Sequence, residues 1–166
     1  MRLLNKKTAL VKFGLVTFCA LASVSTVQAQ DAPPSGDEAL QKAVDTRQAV
    51  FKLISFNSDV VMGMLKNKVP FDAATAQKVA DRVAALAPMI PETFATDTRK
   101  ATNVKTKARE GIWTNMPDFK AKSDDLVKAA QALSAAAKTG DKAATLKAIG
   151  GMGKGCSGCH DNYRDK

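Results

Sequence analysis

Apolar and polar positions along this chain recur with a helical period. From about Asp37 to about Lys68, Arg47, Phe51, Ile54, Ser58, Val61 and Leu65 are spaced by four and three. That spacing lays them on one face of a helix. Ser35 or Asp37 can cap its start, and Pro70 stops it. A second helix is predicted from about Asp72, a good N-cap, to Ala87, with Val79, Val83 and Leu86 as its stripe. Pro88 to Pro117 is a long irregular stretch with three prolines, Gly111 and the single tryptophan, Trp113. A third helix is predicted from near Asp118 to Lys138, with Phe119, Leu126, Ala130 and Leu133 facing in and Thr139-Gly140 ending it. Asp141 caps a fourth, which carries Leu146 and Ile149 before a cysteine pair. No segment alternates as a strand does. The pattern predicts an all-α fold, an antiparallel four-helix bundle with one long loop. Gly150, Gly151, Gly153 and Gly155 are expensive in the last helix and leave room for something bulky against the backbone.

The N-terminal segment follows a different rule. Arg2, Lys6 and Lys7 precede an apolar run from Thr8 to Val27, broken only by Lys12, and Val27-Gln28-Ala29 is a small-residue cleavage site. Residues 1–29 therefore read as a secretory signal, which implies an exported, periplasmic protein. An N-terminal membrane anchor is the competing reading, because the run is near spanning length. A lipoprotein reading of Cys19 is weaker, since Phe18 stands where a small residue is needed. Removal of the signal leaves residues 30–166 as one domain with no membrane segment. Arg2, Lys6, Lys7 and Lys12 leave with it, so the charge of +9 falls to +5. Hydrophobic residues at 45% suffice for a core, while aromatics at 5% favour helices over a β-sandwich. The remaining positive charge is spread rather than clustered, without a phosphate loop or an aromatic-interleaved basic patch. No nucleic-acid partner is expected.

The chemistry concentrates at Cys156-Ser157-Gly158-Cys159-His160, a C-x-x-C-H sequence that is the signature of covalent haem c attachment. On a helix Cys156 and Cys159 project to one side, so each thiol can add to one haem vinyl group. His160 then reaches the iron as an axial ligand. A thiol–disulfide pair would ordinarily follow a strand, and none precedes it here. A structural zinc needs a fourth ligand, and no other Cys or His survives removal of the signal. Only six residues follow His160, and none is a methionine. A second axial histidine is excluded because His160 is the only histidine. Any sixth ligand comes from upstream.

With these residues in view, the chain resembles the cytochrome c-prime family, four-helix-bundle c-type cytochromes with a C-terminal haem motif. Thr46-Arg47-Gln48-Ala49-Val50-Phe51-Lys52 is similar to the Arg-Gln segment of that family's first helix. Thr106 to Trp113 resembles its loop ending in Ile-Trp, with Gly111 where Glu is frequent. Phe119, Leu126 and Leu133 to Ala137 resemble its third helix, and Cys156 to Arg164 its terminal motif. The resemblance implies one haem c per chain, held by Cys156 and Cys159 with His160 as fifth ligand. It implies that Arg47 and Gln48, and less specifically Thr106, lie near a haem propionate, and that Arg164 lies beside the proximal ligand. It also implies a homodimer through the first helices, for which Val60, Val61, Met64 and Val69 are candidate outer apolar positions.

In low-spin relatives a methionine four residues after the Arg of the first helix ligates the iron. Here that position is Phe51, whose ring has no lone pair to donate. With Ile54 one turn further, Phe51 is expected to lid a vacant distal site on a five-coordinate, high-spin haem. Met62 and Met64 lie roughly 16 to 20 Å beyond Phe51 along the helix. Met89, Met116 and Met152 do not match the relatives' ligand position. An apolar site poor in hydrogen-bond donors admits NO and CO and disfavours O₂, so NO binding or buffering is the first expectation. The alternative is one-electron transfer between periplasmic redox partners with a six-coordinate, low-spin haem. Enzymatic turnover finds no second histidine for acid–base work.

Overall fold

In the computed structural model, which describes residues 36–101 and 103–166, the first helical pattern becomes α1, Gly36–Leu65. Asp37 and Glu38 stand in its first turn, where carboxylates complement the helix N-terminus. Its predicted face is the inner one: Arg47, Ile54, Ser58 and Val61 are buried and Phe51 is half-buried. Leu65 differs and is exposed, because α1 ends there. Asn67 then turns the chain at φ 55°, a left-handed conformation that Asn tolerates better than most residues. The helix therefore stops before Pro70 is reached.

Asp72 caps α2, Ala73–Leu86, by accepting the Thr75 N–H at 2.6 Å. Val79 and Val83 are buried, and Leu86 is half-buried. The long connection holds two single turns that the sequence reading left irregular, α3 (Met89–Thr93) and α4 (Gly111–Thr114). Helix α5, Met116–Lys138, begins two residues earlier than expected. Pro117 sits in its first turn, where the missing N–H has no partner to lose. Phe119, Leu126, Ala130 and Leu133 all face the core. Gly140 turns the chain at φ 74°, and Asp141 caps α6, Lys142–Tyr163, through the Ala144 N–H at 3.0 Å.

The four long helices form the antiparallel bundle, with α2 against α1 and α5 and α6 against α5 and α1. Val44, Val61, Val83, Leu133, Ile149 and Met152 are fully buried at its centre. Each such side chain contributes about 1.5 to 3 kcal/mol by leaving water. An isolated antiparallel bridge between Ala108 and Arg164 ties the long connection to the C-terminal end of α6. No helix among the described residues is long and apolar enough to cross a membrane. The expected signal segment 1–29, with its anchor and lipoprotein alternatives and Cys19, lies outside the described residues.

The outer apolar face is only partly where the sequence reading put it. Val61 and Met64 are core residues, Val60 is half-buried against the core, and Val69 is exposed but lies beyond the end of α1. Val61 follows Arg47 and Ile54 at intervals of seven, so it shares their inner phase. The exposed large apolar side chains of α1 are instead Leu53, at 50%, and Phe56, at 74%, with Leu65 at its end.

Candidate haem site

Helix α6 puts Cys156, Cys159 and His160 on one wall of a cavity of about 650 Å³. Both cysteines are free thiols and half-buried. Burial pushes both thiols above their usual range, Cys159 further helped by Cys156 and opposed by Lys122. Burial pulls the His160 imidazole below its usual value, and Arg164 adds to this while Asp161 opposes it. A neutral imidazole is the form that can ligate a metal. Among the described residues, no cluster of three or more His, Cys, Asp or Glu is arranged to hold a metal ion.

Helix α1 builds another wall with Arg47, Gln48, Phe51, Ile54 and Ser58, and the loop before α4 adds Thr106. Every residue singled out for this site from the sequence therefore lines one cavity, Arg164 included. The aromatic cluster behind it was missed in part. Phe94 lies against Phe51 (6.3 Å between centroids), Trp113 (5.9 Å) and Phe119 (4.9 Å), and Phe119 lies against Tyr163 (5.2 Å). Ile90 and Phe94, four residues apart after Pro88, were the available signal for α3. The Trp113 Nε1–H donates to the Phe94 carbonyl at 3.0 Å.

Arg47 is 2% exposed. Its Nη1 donates to Thr98 Oγ1 at 3.0 Å and its Nη2 to the Thr96 carbonyl at 3.1 Å, while the guanidinium carbon lies 4.3 Å from the Phe94 ring centre and 5.4 Å from that of Trp113. Burial lowers its pKa, and Asp97 partly opposes this. Two of the five guanidinium N–H groups are thus engaged with the chain, and Nε is left buried without a partner. The Gln48 amide donates to the Lys105 carbonyl at 3.3 Å, so both side chains hold the 96–106 segment to α1. Thr106 Oγ1 accepts the Ala108 N–H at 3.1 Å. The Arg164 N–H donates to the His160 carbonyl at 3.1 Å, and its exposed side chain reaches the cavity wall.

Several observations test whether haem suits this cavity. Two thiols and one imidazole share its wall. Buried polar atoms, Arg47 Nε and Ser58 Oγ, lack partners on its lining. A Cβ built at Gly155 meets nothing within 4 Å, so the backbone there borders open space. The remaining lining is largely apolar, and its formal charges are cationic. These features fit an apolar ring with anionic edges. Gly153 serves differently, since a Cβ there would come 3.0 Å from Met62 Cε, and glycine lets α1 and α6 approach. Gly150 and Gly151 do not line the cavity. Of the methionines considered as ligands, Met62 alone lines it; Met64 and Met152 are core, Met116 packs against the core, and Met89 is exposed.

Residues 42–164 match the family described as Cytochrome C'. The chain is 36% identical to the cytochrome c' of Rubrivivax gelatinosus over 124 residues, 75% of this chain and 95% of that one. The solved cytochrome c prime of Shewanella frigidimarina superposes with a TM-score of 0.68 at 38% identity, over 76% of this chain and 97% of that one. Variants of the cytochrome c prime of Alcaligenes xylosoxidans, solved as a nitric oxide complex and with carbon monoxide bound, match at 29% identity and TM-score 0.67, over 76% of this chain and 97% of those.

Proposed function

Because the chain belongs to the cytochrome c' family, which implies covalently bound haem c, we propose that it binds NO, and less readily CO, at a five-coordinate haem lidded by Phe51. Cys156 and Cys159 would hold the haem covalently, and His160 would ligate its iron. Bound haem supplies an iron centre able to take a diatomic ligand or one electron. The chain's own residues do the rest. Phe51, Ile54, Ile90 and Phe94 keep the α1 side of the cavity apolar. Arg47 would offer its unpartnered Nε–H, with Gln48 and Thr106 nearby, to the propionate edge. Arg164 stands one helical turn past His160, where it acts on the proximal face.

The observation that carries this reading is Phe51. It occupies the α1 position at which the low-spin relatives place a ligating methionine, and it lines the same cavity as Cys156, Cys159 and His160. The relatives solved with NO and CO support the ligand class. The protein is then an NO-binding or NO-buffering cytochrome of the periplasm, not an enzyme, made as a precursor with residues 1–29 as signal and 30–166 as the haem domain. A homodimer through α1 belongs to the same reading, with the exposed Leu53 and Phe56 at its centre.

Electron exchange with a redox partner is the second reading. It is favoured by the exposed Lys52, Lys107 and Arg164 at the cavity wall, which show that the cavity opens to solvent. Visible spectroscopy separates the two readings. A broad, high-spin ferrous Soret band that sharpens on adding CO is expected. A sharp low-spin spectrum indifferent to CO would overturn the open site and leave electron exchange.

A further inference from the structure

Apart from the cysteines, His160 and Tyr163, every ionisable side chain on the cavity lining is a cation: Arg47, Lys52, Lys107, Lys122 and Arg164. No aspartate or glutamate lines it. Arg47 is turned inward by Thr98 and the Thr96 carbonyl. The other four converge from α1, the loop before α4, α5 and the end of α6. Lys52, Lys107 and Arg164 are exposed, and Lys122 is half-exposed. None is in an ion pair among the described residues, whose pairs are Arg99–Asp97, Arg109–Asp165 and Lys128–Asp125. Nearby acids are already engaged: Tyr163 donates to Asp118, and Arg109 holds Asp165. Asp161, beside His160, and Asp118, whose charge a neutral hydroxyl does not cancel, are carboxylates acting near the ring.

Convergent like charges create a field that draws an oppositely charged partner toward them. Haem brings two propionate carboxylates, fewer than the cations of the lining, so a positive excess stays with haem in place. The cations belong to the lining of one cavity rather than to a broad face, which suits one protein contact better than a membrane surface. A second copy of this chain would bring its own like-charged ring. Lysine ammonium groups at a rim act chiefly on encounter rate and selection of partner, and less on residence.

We propose that Lys52, Lys107, Lys122 and Arg164 form the docking surface for the acidic face of a partner redox protein. This rests on the electron-exchange reading. The test uses the holoprotein with oxidised, acidic flavodoxin as probe, so that docking is measured without electron flow. A carbodiimide joins lysine amines to touching carboxylates, and mass spectrometry then locates the links. Links at Lys52, Lys107 and Lys122 are expected, with affinity by calorimetry falling at least about tenfold as the Debye length drops from about 30 Å to about 8 Å. Lys52→Glu with Lys107→Glu is expected to weaken binding at least about tenfold. Lys138→Glu with Lys147→Glu makes the same charge change on exposed lysines off the cavity and should alter binding less than about twofold.

Links spread over all lysines, equal weakening by both double variants, or binding to phosphatidylglycerol vesicles but not to flavodoxin would each overturn the docking surface. Haem reduction by flavodoxin hydroquinone is followed separately. Reduction that is insensitive to the Lys52 and Lys107 changes also overturns the surface. Docking at the ring without haem reduction overturns the electron-exchange reading and leaves the surface standing.

Discussion

Under the proposed five-coordinate reading, Phe51 decides what the cavity can bind, because it stands at the relatives' ligand position and has no lone pair to donate. Its ring lies edge-on to Phe94, which is itself packed on Trp113 and Phe119. If Phe51 is the lid proposed above, these ring contacts hold it in place, and a diatomic entering beneath it has to displace it. Phe51→Ala should therefore raise CO affinity at least about tenfold, or about 1.4 kcal/mol, in a CO titration of the ferrous protein. An unchanged or lower affinity would count against the lid. Phe51→Met tests the other half: it should give a sharp low-spin spectrum that CO no longer alters. That Cys156, Cys159, His160, Arg47 and Phe51 line one cavity was legible in the sequence because local spacing along single helices sets which face each residue occupies. Phe94 was not, since its importance comes from ring contacts to residues on three other elements. The bonds of Arg47 to Thr98 and Thr96 were equally hidden, being formed some fifty residues away along the chain.

Between elements, the joint with a measurable titration is that of α6 to α5. Tyr163, in the last turn of α6, donates its hydroxyl to Asp118 in the first turn of α5. Burial pushes the Tyr163 phenol up to about 12, and the bond to Asp118 adds to the shift. The folded protein then holds this proton more tightly than the unfolded chain, whose tyrosine titrates near 10. Its contribution to stability is fully present below about pH 10 and is lost as pH rises from about 10 to about 12. Urea unfolding of the wild type should show that loss. Tyr163→Phe should cost about 1 to 2 kcal/mol at neutral pH and flatten the alkaline slope relative to wild type. An identical slope in the variant would place the alkaline loss elsewhere. The long helices were legible because each repeats its apolar period over several turns and ends on a cap or breaker, as Asp72 and Asp141 show. Helices α3 and α4 were not, because a single turn contains no period to detect.

At the scale of the molecule, α1 serves two surfaces at once. Arg47, Phe51, Ile54 and Ser58 face the cavity, while Leu53 and Phe56, about 100° or more around the helix from their inner neighbours, face out. The sequence reading expected an outer apolar face on the first helix and assigned it to Val60, Val61, Met64 and Val69, of which Val61 and Met64 share the inner phase and Val69 is exposed past the helix end. A phenyl ring left 74% exposed on an otherwise charged surface is more consistent with a partner helix than with water, and two copies of α1 would bury it symmetrically. The charge of +5 expected for the processed chain opposes association, so the contact needs this apolar centre. Phe56→Glu should convert a micromolar dimer to monomer in sedimentation velocity, with the visible spectrum unchanged, since Phe56 does not line the cavity. Lys138→Glu, a charge change of similar size away from that face, should leave the dimer intact. A wild-type monomer at the highest concentrations reached would remove the dimer from this reading without touching the haem site, because no residue of the cavity depends on the outer face of α1.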